Sequence, residues 1–339
     1  MMKAVKRKTV SFHGNPYGLV YGGAIKENLT NKVNIHPLTY QLNGIDIAAN
    51  IYTPANYQKQ QLYKAVVIAH PNGAVKEQAA GLYAQKLAEK GYITIVADAT
   101  FTGESGGEPR NQDIPYYRIE DIRGMIDVIS IFQGVNSDEI YALGICGGGG
   151  YTLSAAQMDK RIKKVATVSM FNTGAVRREG FQNSQCHSVL QRLHDVAKLR
   201  EREVKSGELI YNGDMSDMDK EVAHHLPIDM YREGYEYYVE THAHPHAHSR
   251  YSQRNLMDLM VYDPVQFMYL IDQPLLMIVG DRADTQYMSE DAYNMAISTE
   301  EKELYKIKNA THIQTYYVPE VVDEAVNKLD IFYKTKGDK

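Results

Sequence analysis

Cys146 stands between two glycines in the string Gly144-Ile145-Cys146-Gly147-Gly148. A thiol in a Gly-x-Cys-x-Gly frame has the makings of a nucleophile on a sharp turn. Such a turn brings neighbouring backbone close together, so side chains at 144 and 148 would clash. The N–H of Gly147 would face the point where a tetrahedral oxyanion forms. A thiolate also needs a base to take its proton and an acid to orient that base. Three later residues could supply them: Asp281 and Asp284 in the string Asp281-Arg282-Ala283-Asp284, and His312 in Asn309-Ala310-Thr311-His312. A glycine linker around a buried structural cysteine competes with this reading. The flanking residues favour the turn. Ile140 to Leu143 is an apolar strand-like run and Tyr151 to Met158 is compatible with a helix.

The elements that must carry these residues follow in order. Residues 33–52 look like two strands joined at Asn43-Gly44, a hairpin dipeptide. KAVVIA, residues 64–69, is a continuous apolar strand of the kind a parallel sheet buries on both faces. It runs into His70-Pro71-Asn72-Gly73, where the N–H of Asn72 is the candidate second oxyanion donor. A helix over 75–90 follows, then the strand YITIVAD (92–98), a Gly-rich loop (101–110) and an amphipathic helix marked by Ile119, Ile122, Ile126, Ile129 and Phe132. The alternation β-α-β-α-β-α calls for a mostly parallel, doubly wound sheet. After the strand VATVSMF (165–171) the alternation stops. Residues 172–262 read as a mainly helical cap inserted into a core formed by 1–171 and 263–339. The pattern resumes with LLMIVG (275–280), ELYKIK (303–308) and a terminal helix from about 320 to 334. Each acid and base candidate therefore falls at the C-terminal end of a strand, in the order nucleophile, acid, base. The loop must turn back toward the histidine, which favours Asp284 and keeps Asp281 as the alternative.

A chain of 339 residues with 44% hydrophobic and 23% charged residues has room for one large α/β domain with an insertion. A net charge of −5 and the lack of a basic stripe argue against nucleic-acid binding. The basic start MMKAVKRKTV lacks a signal peptide's apolar core, and no run is long enough for a membrane span. With only two cysteines, Cys146 and Cys186, one of them in the turn, no structural disulfide is expected and a cytoplasmic setting fits. The run THAHPHAH places His242, His244, His246 and His248 two apart. On a strand they would share a face and could bind zinc or nickel. No cysteine or carboxylate cluster accompanies them, so a polar cap loop is the preferred reading and no metal or cofactor is expected. His244 and His246, with His70 and Tyr151, are candidates for the substrate pocket. Cys186-His187 is discounted as a dyad because sequence neighbours rarely face each other.

Together these residues resemble the α/β-hydrolase superfamily. The Gly-x-Cys-x-Gly turn is similar to that of dienelactone hydrolases. HPNGAVKEQAAGLYAQKLAEKGY, GESGGEPR, GICGGGG and SEDAY…ATH resemble a capped branch more closely, one that includes uncharacterised bacterial hydrolases and fungal polyketide transferases. The resemblance spans most of 33–335. It implies an α/β-hydrolase fold with a cap, a Cys-His-Asp triad and ester or thioester chemistry. The chain is longer than a dienelactone hydrolase, which lacks a cap, so the lactone substrate does not carry over. The expected function is a hydrolase acting on a small-molecule carboxylic ester, thioester or lactone through an acyl-cysteine. An acyltransferase on the same residues and a non-catalytic binding protein are the alternatives, and a homo-oligomer is left open.

Overall fold

The computed structural model describes residues 4–335. Nine strands form one sheet: β1 (Ala4–Lys6), β2 (Asn34–Leu42), β3 (Ile45–Thr53), β4 (Tyr63–Ala69), β5 (Ile93–Ala97), β6 (Val135–Ile145), β7 (Ile162–Val168), β8 (Leu275–Gly280) and β9 (Lys302–Ile307). Their spatial order is β1-β2-β3-β5-β4-β6-β7-β8-β9. The β1–β2, β2–β3 and β3–β5 pairs are antiparallel, and the rest are parallel. Asn43 and Gly44, both at positive φ, close the β2–β3 hairpin as the sequence predicts. The three-residue strand β1 is exposed throughout and has no apolar pattern that would announce it.

The helices are α1 (Ala79–Glu89), α2 (Pro115–Ser130), α3 (Gly147–Met158), α4 (Thr173–Glu179), α5 (Val189–Ser206), α6 (Lys220–His224), α7 (Asp229–Tyr235), α8 (Leu256–Leu259), α9 (Gln286–Met295), α10 (Gln314–Tyr317) and α11 (Pro319–Lys334). The central strands are apolar on both faces. β5 and β8 are buried along their whole length, and the last five residues of β4 are buried too. That is what helices on both sides of a parallel sheet require. Among the described residues no helix is long and apolar enough to cross a membrane.

The topology fixes where a site can form. From β4 the chain crosses through α1 to β5 on one side, then returns through α2 to β6 on the other. The winding therefore reverses between β4 and β6, and a crevice opens outside the carboxyl ends of those two strands. Asn72 follows β4 and Cys146 follows β6. Between β7 and β8 lie only helices, turns and one isolated bridge, Tyr211 to Ser252.

Candidate active site

Cys146 sits in the turn between β6 and α3 with φ 54° and ψ −126°. A side chain forced to positive φ carries strain of about 1–3 kcal/mol, so its surroundings must hold it there. Three hydrogen bonds do so. The Cys146 N–H donates to Val168 O, and its carbonyl accepts from the N–H groups of Gly149 and Phe171. The glycine frame is sterically enforced. A Cβ on Gly144 would lie 2.4 Å from Gly148 O, and one on Gly148 would lie 2.6 Å from the carbonyls of Ala69 and His70. A Cβ on Gly147 would run into the side chain of Asn72.

The thiol is buried, with 8% of Cys146 exposed. The backbone N–H groups of Gly147 and Asn72 lie beside its sulfur and pull the thiol's pKa down. Two donors from different loops thus converge where an oxyanion would develop. The Asn72 amide is braced by its side chain, whose Nδ2 donates to Thr173 Oγ1 at 2.8 Å. The N-terminus of α3 favours a thiolate at this position, but burial outweighs it. Burial pushes the thiol's pKa up, against the opposing pull of the Tyr316 hydroxyl, the two N–H groups and the Arg118 charge.

His312 lies at the end of the β9 loop and is 1% exposed. Burial depresses its pKa to about 3, so the resting ring is neutral. The ring does not meet either aspartate. Its Nδ1 is 2.6 Å from Thr285 Oγ1, and its Nε2 is 3.0 Å from the Tyr316 hydroxyl. This corrects the sequence expectation for the acid, and the reason is local. Asp281 is exposed and its Oδ1 accepts from the Asn309 N–H at 2.7 Å, tying the β8 loop to the β9 loop. Asp284 turns toward α7, where its Oδ2 accepts from the Met230 N–H at 3.0 Å. The loop does turn back, as the sequence argument requires, but Thr285 is the residue it presents to the ring. Tyr316 stands on α10 one helical turn after His312. Its hydroxyl also lies close enough to the sulfur of Cys146 to pull the thiol's pKa down.

Cys146 opens into a cavity of about 500 Å³ lined by Asn72, Asp113, Arg118, Arg177, Tyr231 and His248 among others. Arg177, Tyr231 and His248 come from the helical stretch between β7 and β8. Arg118 is buried and donates to His70 O at 2.9 Å, with its guanidinium 4.9 Å from the Tyr151 ring centre. The Arg177 guanidinium lies 4.6 Å from the Tyr251 ring centre, and its Nε has no partner. Among the described residues neither arginine has a carboxylate within ion-pair distance.

None of the four pocket candidates, His70, Tyr151, His244 and His246, lines this cavity. His70 is fully framed: its Nε2 accepts from the Ala99 N–H at 3.0 Å, and its Nδ1 donates to Pro71 O at 2.7 Å. Burial and the nearby Arg118 charge hold it neutral, with its pKa lowered to about 4. It shapes the loop and does not line the cavity. Tyr151 is buried against Tyr262, with its hydroxyl donating to Asp113 Oδ1 at 3.0 Å. It supports the wall from behind. His244 lines a smaller neighbouring pocket of about 290 Å³, and His246 packs edge-on against it at 5.3 Å. His248, not singled out before, is the member of the run that lines the Cys146 cavity, and its Nδ1 lies 3.3 Å from Asp214 Oδ2. His242 stacks on Tyr237. The four imidazoles thus make different contacts rather than sharing a strand face.

The mostly parallel sheet, the crevice at the winding reversal and the strained turn after β6 define the α/β-hydrolase fold. No family model matches the chain. Protein YcjY of Escherichia coli, described as uncharacterised, is 36% identical over 295 residues, covering 86% of this chain and 94% of that one. Protein PA2218 of Pseudomonas aeruginosa, also described as uncharacterised, is 35% identical over 295 residues, covering 85% of this chain and 77% of that one. Its crystal structure superposes with a TM-score of 0.83 over 91% of this chain and 95% of that chain. The α/β hydrolase GrgF of a Penicillium species shares the fold at 20% identity, with a TM-score of 0.69 over 89% of this chain and 98% of its own. The chain belongs to the family of YcjY and PA2218.

Proposed function

We propose that the protein is a hydrolase that cleaves a carboxylic ester, thioester or lactone through an acyl-Cys146 intermediate. The observation that carries this reading is the convergence of the Gly147 and Asn72 N–H groups on the sulfur of a cysteine held at positive φ beside a cavity of about 500 Å³. Cys146 attacks the acyl carbonyl, the two N–H groups take the oxyanion and His312 is the base. The Thr285 hydroxyl orients the ring. The helical stretch 172–262 acts as a cap over the cavity. Thiolate is both a good nucleophile and a good leaving group, so the site suits activated acyl groups better than amides. Arg118 and Arg177, without carboxylate partners, favour an acyl substrate that carries a carboxylate.

Two relatives support acyl chemistry by name. Thiohydrolase aneE of Aspergillus aculeatus is 29% identical over 115 residues. Acyltransferase drtE of Aspergillus calidoustus is 26% identical over 156 residues. Acyl transfer to an alcohol or thiol is the second outcome open to the same residues. Intact-mass spectrometry after mixing with p-nitrophenyl acetate tests the proposal. The wild-type protein should gain one acetyl group on Cys146 and release nitrophenol, and Cys146→Ala should do neither. Equal turnover by both without an adduct would overturn it.

A further inference from the structure

Cys146 and His312 are both buried, and one tyrosine neighbours both. The Tyr316 hydroxyl is 3.0 Å from His312 Nε2 and lies close enough to Cys146 to pull the pKa of its thiol down. On the far side of the ring Thr285 Oγ1 is 2.6 Å from Nδ1. Thr285, His312 and Tyr316 are each no more than 1% exposed. Tyr316 is itself wedged by aromatic neighbours, edge-on to Tyr237 at 5.4 Å and to His312 at 5.5 Å. It cannot swing aside without disturbing that packing, and both ring nitrogens of His312 are taken, one by Thr285 and one by Tyr316.

We propose that Tyr316 is a catalytic residue that carries the proton from Cys146 to His312. The inference rests on Cys146 as nucleophile and His312 as base. In the resting state the Nδ1–H of His312 donates to Thr285 Oγ1, the Tyr316 O–H donates to Nε2, and the Cys146 S–H points at the Tyr316 oxygen. As sulfur attacks, the S–H bond breaks and its proton bonds to the Tyr316 oxygen. The Tyr316 O–H bond breaks in the same step and that proton bonds to Nε2. The products are a thiolate-derived S–C bond and an imidazolium, with Tyr316 neutral before and after. No further donor or acceptor is needed. The relay suits two partners that burial keeps neutral, because no charge has to rest on the tyrosine oxygen. Reading the sequence for triad residues passes over this position, since tyrosine is neither a usual base nor an acid in such a set.

A double-variant cycle on thiol alkylation tests the relay without relying on any acyl substrate. In a Cys186→Ser background, which removes the exposed competing thiol, iodoacetamide labelling of Cys146 is timed at pH 7 by intact mass. Tyr316→Phe and His312→Gln are each expected to slow labelling by roughly tenfold or more, and the double variant should be no slower than the slower single one. Tyr316→Phe removes only a hydroxyl, and thermal melting checks that each variant is folded. Labelling at the wild-type rate in Tyr316→Phe overturns the proposal. So does a loss in Tyr316→Phe with none in His312→Gln, which makes the tyrosine a donor to the thiolate only. Multiplying losses in the double variant overturn it as well, since the two groups then act separately. Absence of an acetyl adduct on Cys146 in the p-nitrophenyl acetate experiment is a separate failure, that of the hydrolase reading itself.

Discussion

Two buried polar clusters lie near the carboxyl ends of β4, β5 and β6, and they are built on opposite terms. Around Lys76 the groups are tied together by ion pairs. Its ammonium lies 2.8 Å from Asp98, 2.7 Å from Glu104 and 2.5 Å from Glu77, and Arg7 reaches Glu104 as well. Burial raises the Glu77 carboxyl to about 7 despite the neighbouring ammonium, and Lys76 helps bring Asp98 down to about 2 against its own burial. Around His312 the groups are neutral and linked by single hydrogen bonds, and the nearby Cys146 thiol opens to a cavity. These acids are close enough to hold a metal ion, but Lys76 already fills the position a cation would take. A web of ion pairs marks a structural knot, whereas neutral groups joined by single hydrogen bonds beside a cavity mark a place where protons can move.

The contrast is sharpest where one partner is removed. Asp98→Asn leaves the Lys76 ammonium short of charge in a dry site and should destabilise the fold by about 3–5 kcal/mol. Denaturant unfolding would read this, while acylation of Cys146 per folded molecule should be retained. A loss under about 1 kcal/mol would break the comparison. Acid should come next. His312 and His70 have folded values of about 3 and 4 against an ordinary 6.5. The unfolded chain therefore binds more protons between those values, so stability rises with pH. It is fully present above 6.5 and falls as the pH drops toward 4, by on the order of 3 kcal/mol for each buried ring. Unfolding curves at pH 8, 6, 5 and 4 would show the fall, and His70→Gln should flatten it.

Smaller effects probe the cavity side. Arg177→Gln should raise the half-saturating concentration of a carboxylate-bearing ester by roughly tenfold, as for loss of one charge-assisted hydrogen bond. A neutral ester of equal size should be unaffected, and equal loss for both would remove the carboxylate preference. Thr285→Val should slow acylation by roughly fivefold, the worth of one orienting hydrogen bond. Asp281→Asn should change the rate by less than about twofold, because that carboxylate lies at the surface and serves only the Asn309 N–H.

The parallel sheet and the Cys146 turn could be read from the chain because both write themselves locally. Apolar runs such as LLMIVG coincide with β8 to the residue, and glycines at 144 and 148 are demanded by backbone carbonyls within 2.6 Å. The partners of His312 could not be read in the same way. Asp281, Asp284 and Thr285 share one loop, and which of them faces the ring depends on contacts to α7 and the β9 loop that are far away in sequence. His70 and Tyr151 adjoin the site in sequence yet face inward, since a strand-end residue may point behind the wall as readily as into it. Tyr316 carried one available signal, its spacing of four from His312, which places both on one side of a helical turn.

The stretch that follows β1 gains practical weight from Arg7. Its guanidinium ties Asn50 on β3 to Glu104 in the loop after β5, and Thr102 of that loop lines the Cys146 cavity. A short, exposed first strand looks expendable to anyone trimming the chain for expression or fusing a partner to it. Shortening the protein past residue 7 would untie the loop at the cavity rim, so engineering at that end would be felt as altered ligand entry rather than as lost bulk.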